Sequence, residues 1–154
     1  MSIKLYISFL AFLLLACNQE NDNSDSVCPT VLCATPTQFF KLKFIDKDKQ
    51  TDLFFGTVAK YSLNDLKIYS SRFKRNIDFN VDSTTKSDKY ILISTSVTDE
   101  FAIKLANTAT DELKVETKFI NQTCCDILQI TQLKLNNSVL SFSNTSPTVI
   151  LLQK

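Results

Sequence analysis

Five cysteines, 16 Asp or Glu residues and no histidine set the chemistry open to this chain of 154 residues. Without His, the commonest general base and commonest zinc ligand are missing, and Ser-His-Asp and Cys-His nucleophile systems are excluded. A lysine-activated serine stays open, but no Ser and Lys stand apart from the surface composition. The single glycine, Gly56, excludes a phosphate-cradling P-loop and a GxGxxG dinucleotide fingerprint. Paired carboxylates are the remaining device, since glycoside hydrolysis needs two of them about 5–9 Å apart. The nearest candidates are Asp46 with Asp48, Asp78 with Asp82, and Asp99 with Glu100. Each falls at a strand end, in a turn or on the polar side of an alternating run, where solvation accounts for it. Asp46, Asp48 and Asp52 suggest a calcium loop, but an EF-hand wants Gly at its sixth position and Glu at its twelfth; here those are Thr51 and Thr57. The net charge of +1 offers no basic field for a phosphate backbone. No cofactor, no metal and no nucleic-acid partner are expected.

The N-terminus says where the chain goes. Lys4 is followed by Leu5–Ala16, an uncharged apolar run ending in small residues, and then by the polar segment 18–26. The run is too short to span a bilayer as a helix, which takes roughly 20 residues. A basic start, a short apolar stretch and a small-residue end make a secretory signal. Leu14-Leu15-Ala16-Cys17 resembles the lipobox of bacterial lipoproteins, and the resemblance implies that Cys17 receives diacylglycerol and becomes the first mature residue. Each buried acyl CH₂ contributes about 0.8 kcal/mol, so two or three chains anchor durably where one does not. The acid-bearing residues behind Cys17 resemble the surface-export signals of Bacteroidetes lipoproteins, which implies an outer-membrane location facing the exterior. Removing residues 1–16 takes one Lys with it and leaves the side-chain charge balanced. Residues 18–26 carry three acids and no apolar side chain to bury, so they read as a solvated tether.

The elements that must position any site follow from a period of two. Ile77, Phe79 and Val81 alternate with polar residues, as do Phe101, Ile103 and Leu105, and Leu113, Val115, Thr117 and Phe119. Comparable runs cover 38–45, 52–59, 66–71, 89–97, 126–135, 138–143 and 148–152. Such runs are half-buried antiparallel strands, and no helical stripe competes with them after residue 37. Turn residues separate them at Asp46-Lys47-Asp48, Asn64-Asp65, Ser83-Thr84-Thr85, Asn107-Thr108, Asn136-Asn137 and Ser146-Pro147; Asn136-Asn137 suits a tight hairpin because Asn tolerates positive φ. Short strands at this spacing predict an all-β fold, an antiparallel β-sandwich, with a small β-barrel as the alternative. The organisation is a signal at 1–16, a lipidated Cys, tether and Cys-containing lead-in at 17–36, and a sandwich at 37–154. The segment Phe39–Tyr69, with its "IDK", "DLFF" and "NDLKIY" runs, and the later Cys-Cys-Asp resemble small lipoproteins of Flavobacteria-type bacteria. That resemblance implies an immunoglobulin-like or transthyretin-like sandwich and supplies no functional residue.

With Cys17 assigned to lipid, Cys28, Cys33, Cys124 and Cys125 form an even set in an exported chain, which reads as two disulfides. Of three connectivities, the one needing a vicinal Cys124–Cys125 bridge is the least favoured. Either crossed pairing staples the N-terminal lead-in to the 124–125 region, provided a turn or bulge there lets both thiols face one segment. A zinc site fits poorly, because Cys28-x₄-Cys33 barely meets the usual spacing and Cys124-Cys125 does not.

In Phe39-Phe40 and Phe54-Phe55, one ring of each pair would face outward from a regular strand, covered by a second layer or forming a contact patch for sugar or protein. Lys41, Lys43 and Lys60 are expected to protect strand edges. Ser26 and Ser83 sit in Asp-Ser-x sequences that resemble the O-glycosylation acceptor of Bacteroidetes. These features lead to a non-enzymatic lipoprotein held in the membrane through Cys17 and binding or supporting a glycan or an envelope protein. The alternative is an enzyme or accessory subunit acting on extracellular polysaccharide through paired carboxylates.

Overall fold

Alternation in the sequence becomes two facing sheets in a computed structural model, which describes residues 32–84, 88–122 and 124–154. The strands are β1 (Gln38–Ile45), β2 (Leu66–Ser70), β3 (Arg75–Asn76), β4 (Asn80–Asp82), β5 (Tyr90–Thr95), β6 (Asp99–Leu105), β7 (Asp111–Ile120), β8 (Ile127–Leu135), β9 (Ser138–Val139) and β10 (Thr148–Gln153). A four-stranded sheet has the order β10-β1-β5-β4, and a six-stranded sheet the order β3-β2-β6-β7-β8-β9. Pairing is antiparallel except between β1 and β10, which run parallel with Phe40 beside Thr148 and Phe44 beside Leu152. The sheets stay open, so the fold is a β-sandwich and not a barrel.

The core lies between them. From the first sheet come Phe40, Leu42, Phe44, Ile91, Ile93, Ile150 and Leu152; from the second, Leu66, Ile68, Phe101, Ile103, Leu105, Leu113, Val115, Ile130 and Leu133. Each such side chain contributes roughly 1.5–3 kcal/mol on leaving water. In β8 the inward positions are Leu128, Ile130 and Leu133, so the phase shifts by one residue. A bulge does this, because Glu116 pairs with Gln132 while Thr117 pairs with Ile130, leaving Thr131 without a partner. Thr98 steadies that point, its Oγ1 accepting from the Thr117 amide at 2.9 Å.

Three expected runs are corrected. Residues 52–59 do not form a strand; only Asp52 makes an isolated bridge, with Ile45. Asp52 Oδ1 accepts from the amides of Phe54 and Phe55, both at 2.9 Å, and curls the chain. Leu53 and Phe54 are then both buried, which two successive residues of a flat strand with one solvated face would not be. Phe54 packs edge-to-face on Phe44 with ring centroids 5.1 Å apart, and Gly56 takes φ 116°. The run at 138–143 shrinks to β9, and that at 77–81 is strand only in β4.

The expected hairpin at Asn136-Asn137 forms between β8 and β9, with φ 48° and 68°. Asn136 also fastens the β7 entrance, accepting from the Glu112 amide and donating to Asp111 Oδ1, each at 2.8 Å. Asp111 in turn meets Lys154 Nζ at 2.5 Å, tying the end of β10 in one sheet to the start of β7 in the other.

Candidate binding surfaces

In each candidate carboxylate pair, one member is engaged by the fold. Asp46 Oδ1 accepts from the amides of Asp48 and Lys49, both at 3.0 Å, and these bonds hold its carboxyl below the usual range. Asp48 is exposed in the same turn. Asp82 pairs with Lys41 at 2.7 Å and takes the amide and hydroxyl of Thr84. Lys41 first, then Thr84, lowers its pKa to about 2. Asp78 is exposed in the stretch between β3 and β4. Asp99 is buried and Glu100 exposed, since neighbours in a strand point to opposite faces. Asp99 serves the fold. Its Oδ2 accepts from Ser70 Oγ at 2.5 Å, and its Oδ1 accepts from the amides of Arg72 at 2.9 Å and Glu100 at 2.7 Å.

Lys41 and Lys43 stand on β1, an interior strand, and so do not guard an edge as expected. They lie over the Tyr90 ring at 5.3 and 5.4 Å, and each meets a carboxylate, Asp82 for Lys41 and Asp88 at 2.8 Å for Lys43. The bond to Asp88 raises the Lys43 pKa against the opposing effect of burial. Lys60 lies over the Tyr61 ring at 5.5 Å. Of the aromatic pairs, Phe40 and Phe54 are buried; Phe39 is exposed, and Phe55 packs against the rim of the core with Lys89 Nζ 5.9 Å from its ring.

One end of the sandwich is covalently stapled. Cys33 in the lead-in is bonded to Cys125 in the loop between β7 and β8, across 92 positions and with Cα atoms 5.6 Å apart. Cys124 is disulfide-bonded as well. Their loop supplies the turn that adjacent cysteines need, because no strand forces them to opposite faces. β7 runs past the core here and leaves Phe119 exposed, where alternation alone would turn it inward with Leu113 and Val115. Cys17, Cys28 and Ser26 lie outside the described residues. Ser83 is exposed beside Asp82 in the bend after β4.

Three cavities border these elements. One of about 380 Å³ lies between the lead-in, the start of β8 and Asn144, with Asp126 as the one lining carboxylate among the described residues. Another of about 620 Å³ adjoins the Cys124-Cys125 loop and is lined by Asn121, Gln122, Cys124, Cys125 and Ile127 among the described residues. The third, about 530 Å³, opens on the outer face of the six-stranded sheet and is lined by Asn64, Asp65, Lys67, Lys104, Ala106 and Asn107. Asp65 is turned to its own helical turn, its Oδ2 accepting from the Ser62 amide at 2.8 Å and from the Ser62 hydroxyl at 2.9 Å. Lys67 and Lys104 are directly opposite each other across β2 and β6, and neither has an ion-pair partner among the described residues.

Tyr69 follows on the same face, half-exposed and flanked by Ala102 and Asn76. The sequence reading missed this group. Alternation with Leu66 and Ile68 was enough to turn Lys67 and Tyr69 outward, but only strand register could set Lys104 beside Lys67. Among the described residues, no three His, Cys, Asp or Glu side chains converge as metal ligands, and no helix is long and apolar enough to cross a membrane. No family model, curated protein or solved structure matches this chain.

Proposed function

We propose that this chain is a lipoprotein anchored to the outer membrane through Cys17 and facing the exterior, and that its sandwich is a non-enzymatic module for binding or supporting a glycan or an envelope protein. The anchor rests on Lys4, the uncharged run Leu5–Ala16 and the lipobox-like Leu14-Leu15-Ala16-Cys17. One observation carries the choice of binding over hydrolysis. In each candidate pair one carboxylate is taken up by the fold, Asp46 and Asp99 by backbone amides and Asp82 by Lys41. Hydrolysis would need two of them free and about 5–9 Å apart across a cleft. Aromatic and amide side chains on the open sheet faces are suited to contact without chemistry.

Affinity capture of the tagged, lipidated protein from its own envelope tests this reading, with Cys17→Ala as the control. The expected result is acylated wild type that protease shaves from intact cells and that enriches a specific glycan or protein. An unacylated wild type, or release of reducing ends from polysaccharide by the purified protein, would overturn it.

A further inference from the structure

Four lysines on the outer faces of the two sheets stand in two different settings. Lys41 and Lys43 each meet a carboxylate on the outer face of the four-stranded sheet. Lys67 and Lys104 are register partners, side by side on the outer face of the six-stranded sheet, with no ion-pair partner among the described residues. Side chains directly opposite in an antiparallel pair have Cβ atoms about 5 Å apart, and like charges there destabilise the sheet. Both lysines line a cavity of about 530 Å³ that also carries the amide side chains of Asn64 and Asn107 and the carboxylate of Asp65, whose Oδ2 accepts from the Ser62 amide and hydroxyl. Two residues along β2, about 7 Å by strand geometry, Tyr69 is 40% exposed. The small Ala102 stands directly opposite it and leaves the flank of its ring open.

We infer that this face binds an acidic polysaccharide, with a uronate ring on Tyr69 and its carboxylate between the Lys67 and Lys104 ammonium groups. The inference rests on the binding-module reading and names its ligand class. A pyranose presents an apolar C–H face, which buries well on an aromatic ring. A uronate carries its carboxylate on that ring, within reach of a flexible lysine two residues away. Asn64 and Asn107 offer amide donors and acceptors for the hydroxyls. An anion between two ammonium groups forms charge-assisted hydrogen bonds and removes the repulsion that the free protein carries.

The test uses the full chain and oligomers of polygalacturonate, with neutral dextran as the control, followed by calorimetry at low and moderate salt. Wild type is expected to bind polygalacturonate, more weakly as salt rises, and not dextran. Lys67→Glu places a carboxylate opposite Lys104, so it is expected to raise the thermal midpoint while weakening binding about tenfold or more. Tyr69→Ala is expected to weaken binding with the salt dependence kept. A gain in stability together with a loss of affinity separates a ligand site from a folding defect. Polygalacturonate bound equally by wild type and Lys67→Glu overturns the inference. Dextran bound as tightly as polygalacturonate, or an envelope protein captured equally by wild type and Lys67→Glu with no polygalacturonate binding, also overturns it and leaves the binding module standing. No glycan bound and nothing captured overturns both.

Discussion

The hydroxyl of Ser70 donates to the buried carboxylate of Asp99 at 2.5 Å, joining β2 to β6 beneath the sheet. The other Asp99 oxygen takes the amides of Arg72 and Glu100, and Ser70 Oγ takes the amide of Phe73 at 3.0 Å. One carboxylate and one hydroxyl therefore hold the chain reversal before β3, in which Lys74 is left-handed with φ 53°. Asp99→Ala leaves these donors unsatisfied and is expected to cost about 3 kcal/mol, with Asp99→Asn milder at about 1–2 kcal/mol. Urea unfolding measures both, and amide exchange at Ser71–Lys74 should lose protection first. A loss under about 1 kcal/mol in Asp99→Ala would show that the network does not hold the turn.

The Cys33–Cys125 bridge closes a loop spanning 92 positions, so most of its effect lies in restricting the unfolded chain. Replacing both cysteines with serine is expected to cost about 2–4 kcal/mol. The measurement is urea unfolding of the double variant beside wild type. Because Cys124 is also disulfide-bonded, reductant should lower wild-type stability further than the double substitution does. Equal stability of oxidised and reduced wild type would contradict this.

Stability should be flat near neutrality and fall away on the acid side. Asp46 and Asp82 have folded pKa values below their ordinary 3.8, Asp82 at about 2, so the unfolded chain binds those protons more readily. Their stabilisation is complete above about pH 5 and is lost as pH falls toward about 2. Lys43 has the opposite sign, because its folded value is raised above 10.5 and its stabilisation is lost only as alkaline pH rises past that value. With no His in the chain, thermal midpoints are expected to change little between about pH 5 and 9. Asp82→Asn should flatten part of the acid limb. A steep change between about pH 6 and 8 would mean that a different group governs stability.

Adjacent substitutions in the β8–β9 turn should have opposite signs. Asn137 has φ 68°, a backbone that glycine adopts without strain, and Asn137→Gly is expected to stabilise by a few tenths to about 1 kcal/mol. Asn136 is also left-handed, but its side chain bonds Glu112 and Asp111. Asn136→Gly should therefore cost about 1 kcal/mol. Thermal unfolding of the two variants decides it; a gain in Asn136→Gly as well would mean that the Asn136 bonds contribute nothing, and a loss in Asn137→Gly would mean that its positive φ carries no strain.

Much of the scaffold was legible as sequence, because a strand's alternation is written residue by residue. Phe40, Leu42 and Phe44 against Lys41 and Lys43, or Ile91 and Ile93 against Leu92 and Ser94, declare which side is buried before any partner is known. The run at 52–59 misled because Asp52 captures two amides and coils the chain, which alternation does not record. Phe119 misled because β7 outruns the core it would have faced.

By itself, then, the sequence determined the strand periodicity, the Asn136-Asn137 turn and the lack of His-based chemistry. All are local properties, fixed by side-chain type and spacing along one segment. Tertiary structure decided which distant residues meet: Cys33 with Cys125, Ser70 with Asp99, Lys41 with Asp82, and Lys67 with Lys104. Those meetings depend on strand order and register, which are set by the fit of two whole sheets around one core. The same register that buries Ile68 against Ile103 sets two lysines face to face one position earlier.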